Sequence, residues 1–431
     1  MHRLLPSVGV LALVATAALA LDNGMGLTPP LGWSTWCTGG DCGADTCTEA
    51  EVKAAATAML ANGMHAAGYR WIVLDDCWAA GSRTATGEIT WDTQRFPGGM
   101  PALATWMHQQ GFYFGLYTSA GNQTCSSGGR PYPIPGSEGH YQRDADTFAS
   151  WELDYVKVDW CGDVKKMPLD GIAVGAKDYK NFSYALTHST PARPMYFEGV
   201  AAVLFLLTDV GTYVNAWRAS TDHHDKWDNL IEVVDTVALA KVESRPGAWS
   251  YMDVLMTGGQ GCKHQSTSQT LHCPGMTDEE YTSEFSLWWI NQSPLFVATD
   301  VRNMTAIMTK LLLNSAALAI HQSTATPPGQ HTGGDGRCGT LLGSLQCQYW
   351  VRRLPGDSAA VVLFNTDSSA HTITFPFSGE QSKYLPAGWG ANTTVTATEL
   401  WDKLPPFTAT GHVQASVPSH GVVVFLLKRN S

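Results

Sequence analysis

Positive charge is scarce in this chain: 27 lysines and arginines stand against 38 acids, a net charge of −11, with no basic run. That speaks against a nucleic-acid partner, which needs clustered cations to displace counterions from phosphate. After the first twenty residues no apolar run is long enough to cross a bilayer, so no membrane partner is expected. No Walker loop occurs, no Gly-x-Gly-x-x-Gly follows a predicted strand, and no serine sits in a nucleophile elbow. Nucleotide chemistry and Ser-His-Asp hydrolysis are thereby set aside. The cysteines lack zinc spacing, and the adjacent His223 and His224 would point in different directions on a helix. No cofactor and no metal are expected.

Residues 1–20 carry His2 and Arg3, an apolar run from Leu11, and Ala18-Leu19-Ala20. This is the pattern of a secretory signal cut before Leu21. An exported protein is expected, either extracellular or in a lysosome or vacuole. Ten cysteines then suit an oxidising compartment and a disulfide set. Sequons begin at Asn122, Asn181, Asn291, Asn303 and Asn392. Sixteen tryptophans in an acidic chain suit a polar ring-shaped ligand, because sugars lay their C–H faces on aromatic rings.

Short β-type runs are predicted at 31–36, 69–74, 112–119, 155–158, 194–197, 215–221, 248–255 and 295–299. Most are followed by a helical run, at 48–66, 102–110, 144–151, 179–187, up to 239, 278–291 and 306–318. Eight such alternations indicate an α/β fold, a (β/α)8 TIM barrel. Near Ser323 the pattern changes to strands without long helices, at 348–353, 359–364, 372–377, 413–417 and 422–427. A C-terminal antiparallel β-sandwich is expected there. The domain plan is a signal peptide over 1–20, a barrel over 21–322 and a sandwich over 323–431.

Acids close several of the barrel runs: Asp75, Asp76, Asp159, Glu198, Asp222, Asp253 and Asp300. One strand-terminal Asp reads as the cap of the next helix. A recurring set of them at the carboxyl ends of barrel strands suggests a site. Two converging carboxylates can cleave a glycosidic bond, one attacking the anomeric carbon while the other protonates the leaving oxygen. Asp159 is the expected nucleophile, with Lys157 on the same strand face expected to hold its pKa down. Asp222 is the expected acid/base, kept protonated by burial or a neighbouring charge, and Arg218 shares its face of the segment.

The residues resemble glycoside hydrolase family 27, the α-galactosidase and α-N-acetylgalactosaminidase family. The matches run in order through Gly32-Trp33, Asp75-Asp76-Cys77-Trp78, Gly115-Leu116-Tyr117, Thr124-Cys125 and Asp154-Tyr-Val-Lys-Val-Asp159. They continue through Arg218 with Asp222, Phe285-Ser-Leu-Trp, Thr299-Asp300 and Ser416-Val-Pro-Ser-His-Gly. The resemblance implies a retaining enzyme acting on terminal α-linked galactose without a cofactor, as monomer or homodimer. It makes Asp159 the nucleophile and Asp222 the acid/base. Asp75 and Asp76 would hold O4 and O6, Lys157 O3 and O4, and Arg218 the O2 side. Trp33, Tyr117 and Cys161 would line the sugar, and Glu198 would meet its 2-substituent and favour galactose over the N-acetyl sugar.

The same resemblance pairs Cys37 with Cys77, Cys42 with Cys47 and Cys125 with Cys161, leaving Cys262–Cys273 and Cys338–Cys347 as short loops. Two stretches depart from the family pattern: Phe197-Glu198-Gly199-Val-Ala201 lacks the usual Cys-x-Trp, and Trp249-Ser-Tyr251-Met-Asp253 replaces an acid with tyrosine. They keep α-N-acetylgalactosaminidase and β-L-arabinopyranosidase open as alternatives. From another class, so is a sugar-binding protein without turnover.

Overall fold

A computed structural model describes residues 20–430 apart from 40–41, 43–46, 127–131, 163–169, 201–209, 240–243, 263–271 and 342–343. The expected signal peptide, up to residue 19, and Ala201 lie outside the described residues.

Eight parallel strands form one curled sheet: β1 (Leu31–Ser34), β2 (Trp71–Leu74), β3 (Tyr113–Ser119), β4 (Tyr155–Asp159), β5 (Tyr196–Gly199), β6 (Ala216–Arg218), β7 (Trp249–Tyr251) and β8 (Leu295–Val297). Their order is β7-β6-β5-β4-β3-β2-β1-β8. A parallel bridge between Leu255 and Val297 joins the chain after β7 to β8 and closes the barrel. The order follows the sequence because each helical return brings the next parallel strand in beside the last.

The helices are α1 (Glu49–Ala61), α2 (Met64–Ala67), α3 (Met100–Gln109), α4 (Tyr141–Ser150), α5 (Asp170–Thr187), α6 (Trp227–Leu239), α7 (Asp278–Ile290), α8 (Ala306–Leu312) and α9 (Ser315–Gln322). Thr48 caps α1 as expected, its hydroxyl accepting from the Glu51 N–H while Glu51 bonds back. The helix expected over 48–66 breaks at Asn62-Gly63, where Gly63 takes φ 92°. The one expected over 306–318 breaks at Asn314, whose side chain starts a new helix by accepting from the Ala317 N–H.

The C-terminal unit is all β: β9 (Gln330–Gly334), β10 (Thr340–Leu341), β11 (Ser344–Leu345), β12 (Cys347–Leu354), β13 (Ser358–Asn365), β14 (His371–Pro376), β15 (Thr394–Glu399), β16 (Phe407–Thr410), β17 (His412–Val417) and β18 (Val422–Arg429). Six of them make an antiparallel sheet in the order β16-β15-β18-β13-β12-β9, and β14 and β17 pair separately. β13 and β18 are almost wholly apolar because both faces of their sheet are covered. Trp350, Val362, Phe364 and Val424 join the barrel's core, while Tyr349, Val351, Leu363 and Phe425 pack in the sandwich core with Ile373 and Phe375 of β14. α7 lies at the junction, with Trp401 Nε1 donating to Ser286 Oγ at 2.9 Å. Each large apolar side chain buried there contributes roughly 2 kcal/mol.

The pairing of two disulfides differs from expectation. Cys37 bonds Cys42 and Cys47 bonds Cys77; Cys125–Cys161, Cys262–Cys273 and Cys338–Cys347 are paired as expected. Cys37 lies in the turn leaving β1, with the Cα of Cys42 only 4.1 Å away. Cys47 immediately precedes the cap of α1, which sets it 5.9 Å from Cys77, just past the end of β2.

Candidate active site

Strand register stacks the polar residues in layers. Tyr117 on β3 pairs with Lys157 on β4, and Lys157 pairs with Glu198 on β5. Ser119 pairs with Asp159 one pleat higher. Beneath them the barrel is plugged by aromatics: Tyr155 stacks on Tyr196 with centroids 5.0 Å apart, and Trp71 and Phe296 meet Tyr155 at 5.8 and 5.5 Å. Gly115 has to lack a side chain, since a Cβ there would sit 2.4 Å from that of Tyr155. An apolar floor with charge above it is what lets a few polar groups fix the orientation of a ligand.

Asp159 ends β4 at the mouth, partly open to solvent. Tyr117 Oη donates to its Oδ2 at 3.0 Å and the Trp160 N–H to its Oδ1 at 2.9 Å. The sulfurs of Cys125 and Cys161 lie within 4.8 Å of its carboxylate. They are joined to each other, so they offer no thiolate to a metal. Desolvation pushes Asp159 up to about 6; Lys157 opposes this and the charge of Asp222 adds to it. The pull of Lys157 is in the expected direction, but burial outweighs it, and the expectation of a lowered Asp159 is corrected. The Lys157 ammonium is paired with Asp75, 2.7 Å away, which offsets part of its field at Asp159.

Arg218 Nη2 reaches Asp222 Oδ1 at 3.0 Å and Asp253 Oδ2 at 2.8 Å. Asp222 has its side chain 55 % exposed. Partial desolvation pushes it up, but Arg218, and Lys157 behind it, more than offset this and hold it below the ordinary carboxylate value. The expectation of an acid kept protonated in the free protein is corrected too: the neighbour that decides is a cation. Asp253 also accepts the His223 N–H at 2.8 Å. His223 itself is buried against Glu284, 3.0 Å away, and Asp225 accepts from Tyr281 Oη, Gln260 N and Gly275 N. His223 and Asp225 thus brace the framework in different directions.

Asp76 is buried and accepts both the N–H and the hydroxyl of Ser126, at 3.0 and 2.9 Å. Burial raises its pKa despite those bonds. One expectation fails on strand parity. A Cβ on Gly32 would lie 2.6 Å from the Phe296 ring, so this residue faces the barrel interior. Trp33 therefore faces the helices, where it is buried with Nε1 on the Thr299 carbonyl at 3.0 Å. The tryptophan at the mouth is Trp36, half-buried, with the Lys157 ammonium 5.2 Å from its ring and 5.6 Å from that of Tyr117. The signal for it was Trp36's place just beyond a strand end, the same place the acids occupy.

Glu198 lies one pleat deeper than Asp159, only 2 % exposed, accepting a short bond from the Tyr155 hydroxyl. Val158 pairs with Gly199, so Val200 is the position level with Asp159. Glu198 thus shares the layer of Lys157 and Tyr117, one pleat below Asp159. Burial pushes it up to about 7, opposed by Lys157, Tyr155 and Arg218.

These values set the sign of a stability profile. Asp159 and Glu198 have folded values of about 6 and 7 against ordinary values of 3.8 and 4.5. The folded chain therefore keeps protons that the unfolded chain has lost, and the stability this gives is complete below about pH 4 and lost as pH rises through 6 and 7. Buried His321, held down to about 3, opposes this below pH 6.5, and His331 does so more weakly. The two carboxyls outweigh the histidines near neutrality. Calorimetry should show Tm rising by about 1 °C from pH 7.5 to 6; a Tm that falls over that interval contradicts this balance.

Carboxylates converging at the C-terminal mouth of a (β/α)8 barrel, over an apolar floor and beside a β-sandwich, define a glycoside hydrolase. Residues 28–323 match the family model described as Alpha galactosidase A, and residues 345–427 that of the alpha galactosidase C-terminal beta sandwich domain. The chain belongs to this family, glycoside hydrolase family 27, and is a glycosidase. It is 32% identical over 414 residues to Alpha-galactosidase of Cyamopsis tetragonoloba, covering 95% of this chain and 88% of that one. It is 30% identical over 364 residues to human Alpha-galactosidase A, covering 81% and 76%. The crystal structure of alpha-galactosidase I from Mortierella vinacea superposes with a TM-score of 0.76 at 25% identity, over 94% of this chain and 98% of that chain.

Proposed function

We propose that this chain is a retaining exo-α-galactosidase, exported to an extracellular or lysosome-like compartment, and that Asp159 and Asp222 carry its chemistry. The observation that carries the reading is the pair itself: two carboxyls from different strand ends, close enough that each charge acts on the other, one gripped by a tyrosine and one by an arginine. In the first displacement an Asp159 oxygen bonds to the anomeric carbon as the glycosidic C–O bond breaks, and Asp222 gives its proton to the departing oxygen. In the second, Asp222 takes a proton from water, whose oxygen displaces Asp159 and restores the α-configuration.

Asp75, positioned by Lys157, and Asp76, positioned by Ser126, are assigned to the O4 and O6 edge of the sugar. Trp36 and Tyr117 are assigned to its ring and Arg218 to the O2 side. The choice of galactose rests on the names of the curated relatives, and Glu198, level with Lys157, is assigned to the sugar's 2-substituent. The barrel over 21–322 would hold the whole site, with the sandwich over 323–431 buttressing α7, after removal of a signal peptide over 1–20.

Rates on aryl α-galactoside, aryl α-N-acetylgalactosaminide and aryl β-L-arabinopyranoside, with NMR of the first anomer released, test this. The α-galactoside should be turned over at least about tenfold faster than either rival, given what one mismatched substituent costs, and α-galactose should appear first. A dominant rival overturns the substrate assignment, β-galactose released first overturns retention, and silence on all three leaves a sugar-binding protein.

A further inference from the structure

Asp222, the proposed acid/base, has its side chain 55 % exposed, so its main chain has much to do with where the carboxyl stands. The peptide linking Asp222 to His223 is bonded at both ends. Its carbonyl accepts from Asn229 Nδ2 at 3.1 Å and its N–H donates to Asp253 Oδ2 at 2.8 Å. The next N–H, that of His224, donates to Asn229 Oδ1 at 2.6 Å. Asn229, in the first turn of α6, thus clamps the loop that follows Asp222.

These bonds also fix how the Asn229 amide is turned, its oxygen toward an N–H and its nitrogen toward a carbonyl. His223 Nδ1 lies 3.0 Å from that same oxygen, which can only accept, so Nδ1 carries a hydrogen and donates it. Nε2 faces Glu284 Oε1 of α7 at 3.0 Å. Glu284 also accepts the Met256 N–H at 2.6 Å and the Thr257 hydroxyl at 2.7 Å, both beyond β7. Trp288, one turn further along α7, packs on the imidazole at 5.0 Å between centroids and donates to the Asp253 carbonyl at 2.6 Å.

His223 and Glu284 are fully buried, with each ring nitrogen and each carboxyl oxygen bonded. An apolar pair of the same volume would serve stability as well, because desolvation offsets the attraction between polar partners. What this pair adds is one fixed orientation of the imidazole, and through it of Asn229. We propose that His223, anchored by Glu284, is a positioning residue for the acid/base: it aims Asn229, which holds the main chain beside Asp222 so that the carboxyl meets the leaving oxygen. Neither His223 nor Asn229 is assigned to the sugar. Losing the alignment therefore weakens proton delivery and leaves sugar binding and Asp159 in place.

The kcat and KM of the full chain on an alkyl and a dinitrophenyl α-galactoside separate this from a structural role. Two variants test it: Asn229→Ala, and His223→Gln, whose amide keeps a donor toward Glu284 but none toward Asn229. In each, kcat on the alkyl substrate should fall about tenfold with KM unchanged, a part of what general acid catalysis supplies. On the dinitrophenyl substrate, whose leaving group needs no proton, kcat/KM should stay within about twofold. Asn229 is only half-buried, so Asn229→Ala strands no buried charge and decides alone if His223→Gln does not fold. An equal fall on both substrates, a change in KM instead of kcat, or an alkyl rate that holds in either folded variant overturns the role of His223. The inference rests on the α-galactosidase reading with Asp222 as its acid. Wild type inactive on every galactoside, or Asp222→Ala losing equally on both leaving groups, overturns both. A leaving-group-selective Asp222→Ala beside an unselective Asn229→Ala overturns this one alone.

Discussion

Asp159→Asn should lower turnover of an aryl α-galactoside by about ten-thousandfold or more, the scale of losing a covalent route altogether. Asparagine keeps the shape of the side chain and can still accept the Trp160 N–H that Asp159 accepts at 2.9 Å. What it cannot do is bond to the anomeric carbon and leave again. The loss should not come from unfolding. The carboxyl has a folded value of about 6 against 3.8, so at pH 7.5 its charge is destabilising and the neutral isostere should hold or raise Tm. A companion variant, Asp159→Gly, empties the space beside the Cys125–Cys161 disulfide. With azide present it should regain turnover, the C1–N bond forming as the aryl oxygen leaves, to give the β-galactosyl azide. Asp159→Asn activity within tenfold of wild type would mean that another group attacks.

How much of this was legible beforehand depends on what kind of fact each residue encodes. The barrel was legible because alternation and strand-ending acids are local patterns, and the β4 run from Tyr155 to Asp159 carries both. Strand parity was not: Trp33 and Trp36 are equally aromatic, and only the packing of Gly32 against Phe296 decides which one faces the mouth. Depth was not legible either, since Glu198 and Asp159 are both strand-terminal acids and only the ladder shows them a pleat apart. Cysteine pairing turned on a turn tight enough to bring Cys37 to Cys42, a matter of distance and not of spacing. β15 was missed because Thr-Val-Thr-Ala-Thr-Glu buries Val395, Ala397 and Glu399 in alternation with three threonines and reads as a polar loop. The charges misled most directly: Lys157 and Arg218 were rightly grouped with the acids, but which carboxylate each cation serves is a three-dimensional fact.

Asp222→Ala should lose rate according to what has to leave. With an alkyl galactoside or a galactosyl disaccharide, whose oxygen needs a proton, kcat/KM should fall by about a thousandfold, within the range of general acid catalysis. With a dinitrophenyl galactoside the first displacement needs no proton, so the same variant should still form the Asp159 intermediate quickly and show a burst. The pH profiles should differ in kind. In wild type the reactive pair carries one proton, between the lowered value of Asp222 and about 6 for Asp159. Proton count and not proton position bounds such a profile, so kcat/KM should be a bell in the acid range with its alkaline arm near 6. The free protein keeps that proton mainly on Asp159. Substrate has to move it, by covering a carboxyl whose side chain is 55 % exposed and by taking Arg218 for a hydroxyl. Asp222→Ala has no second carboxyl to protonate, so on the dinitrophenyl substrate its rate should climb with the ionisation of Asp159 and level off. A bell retained in Asp222→Ala, or an equal loss on both classes of leaving group, would place the acid elsewhere in the ring of carboxylates.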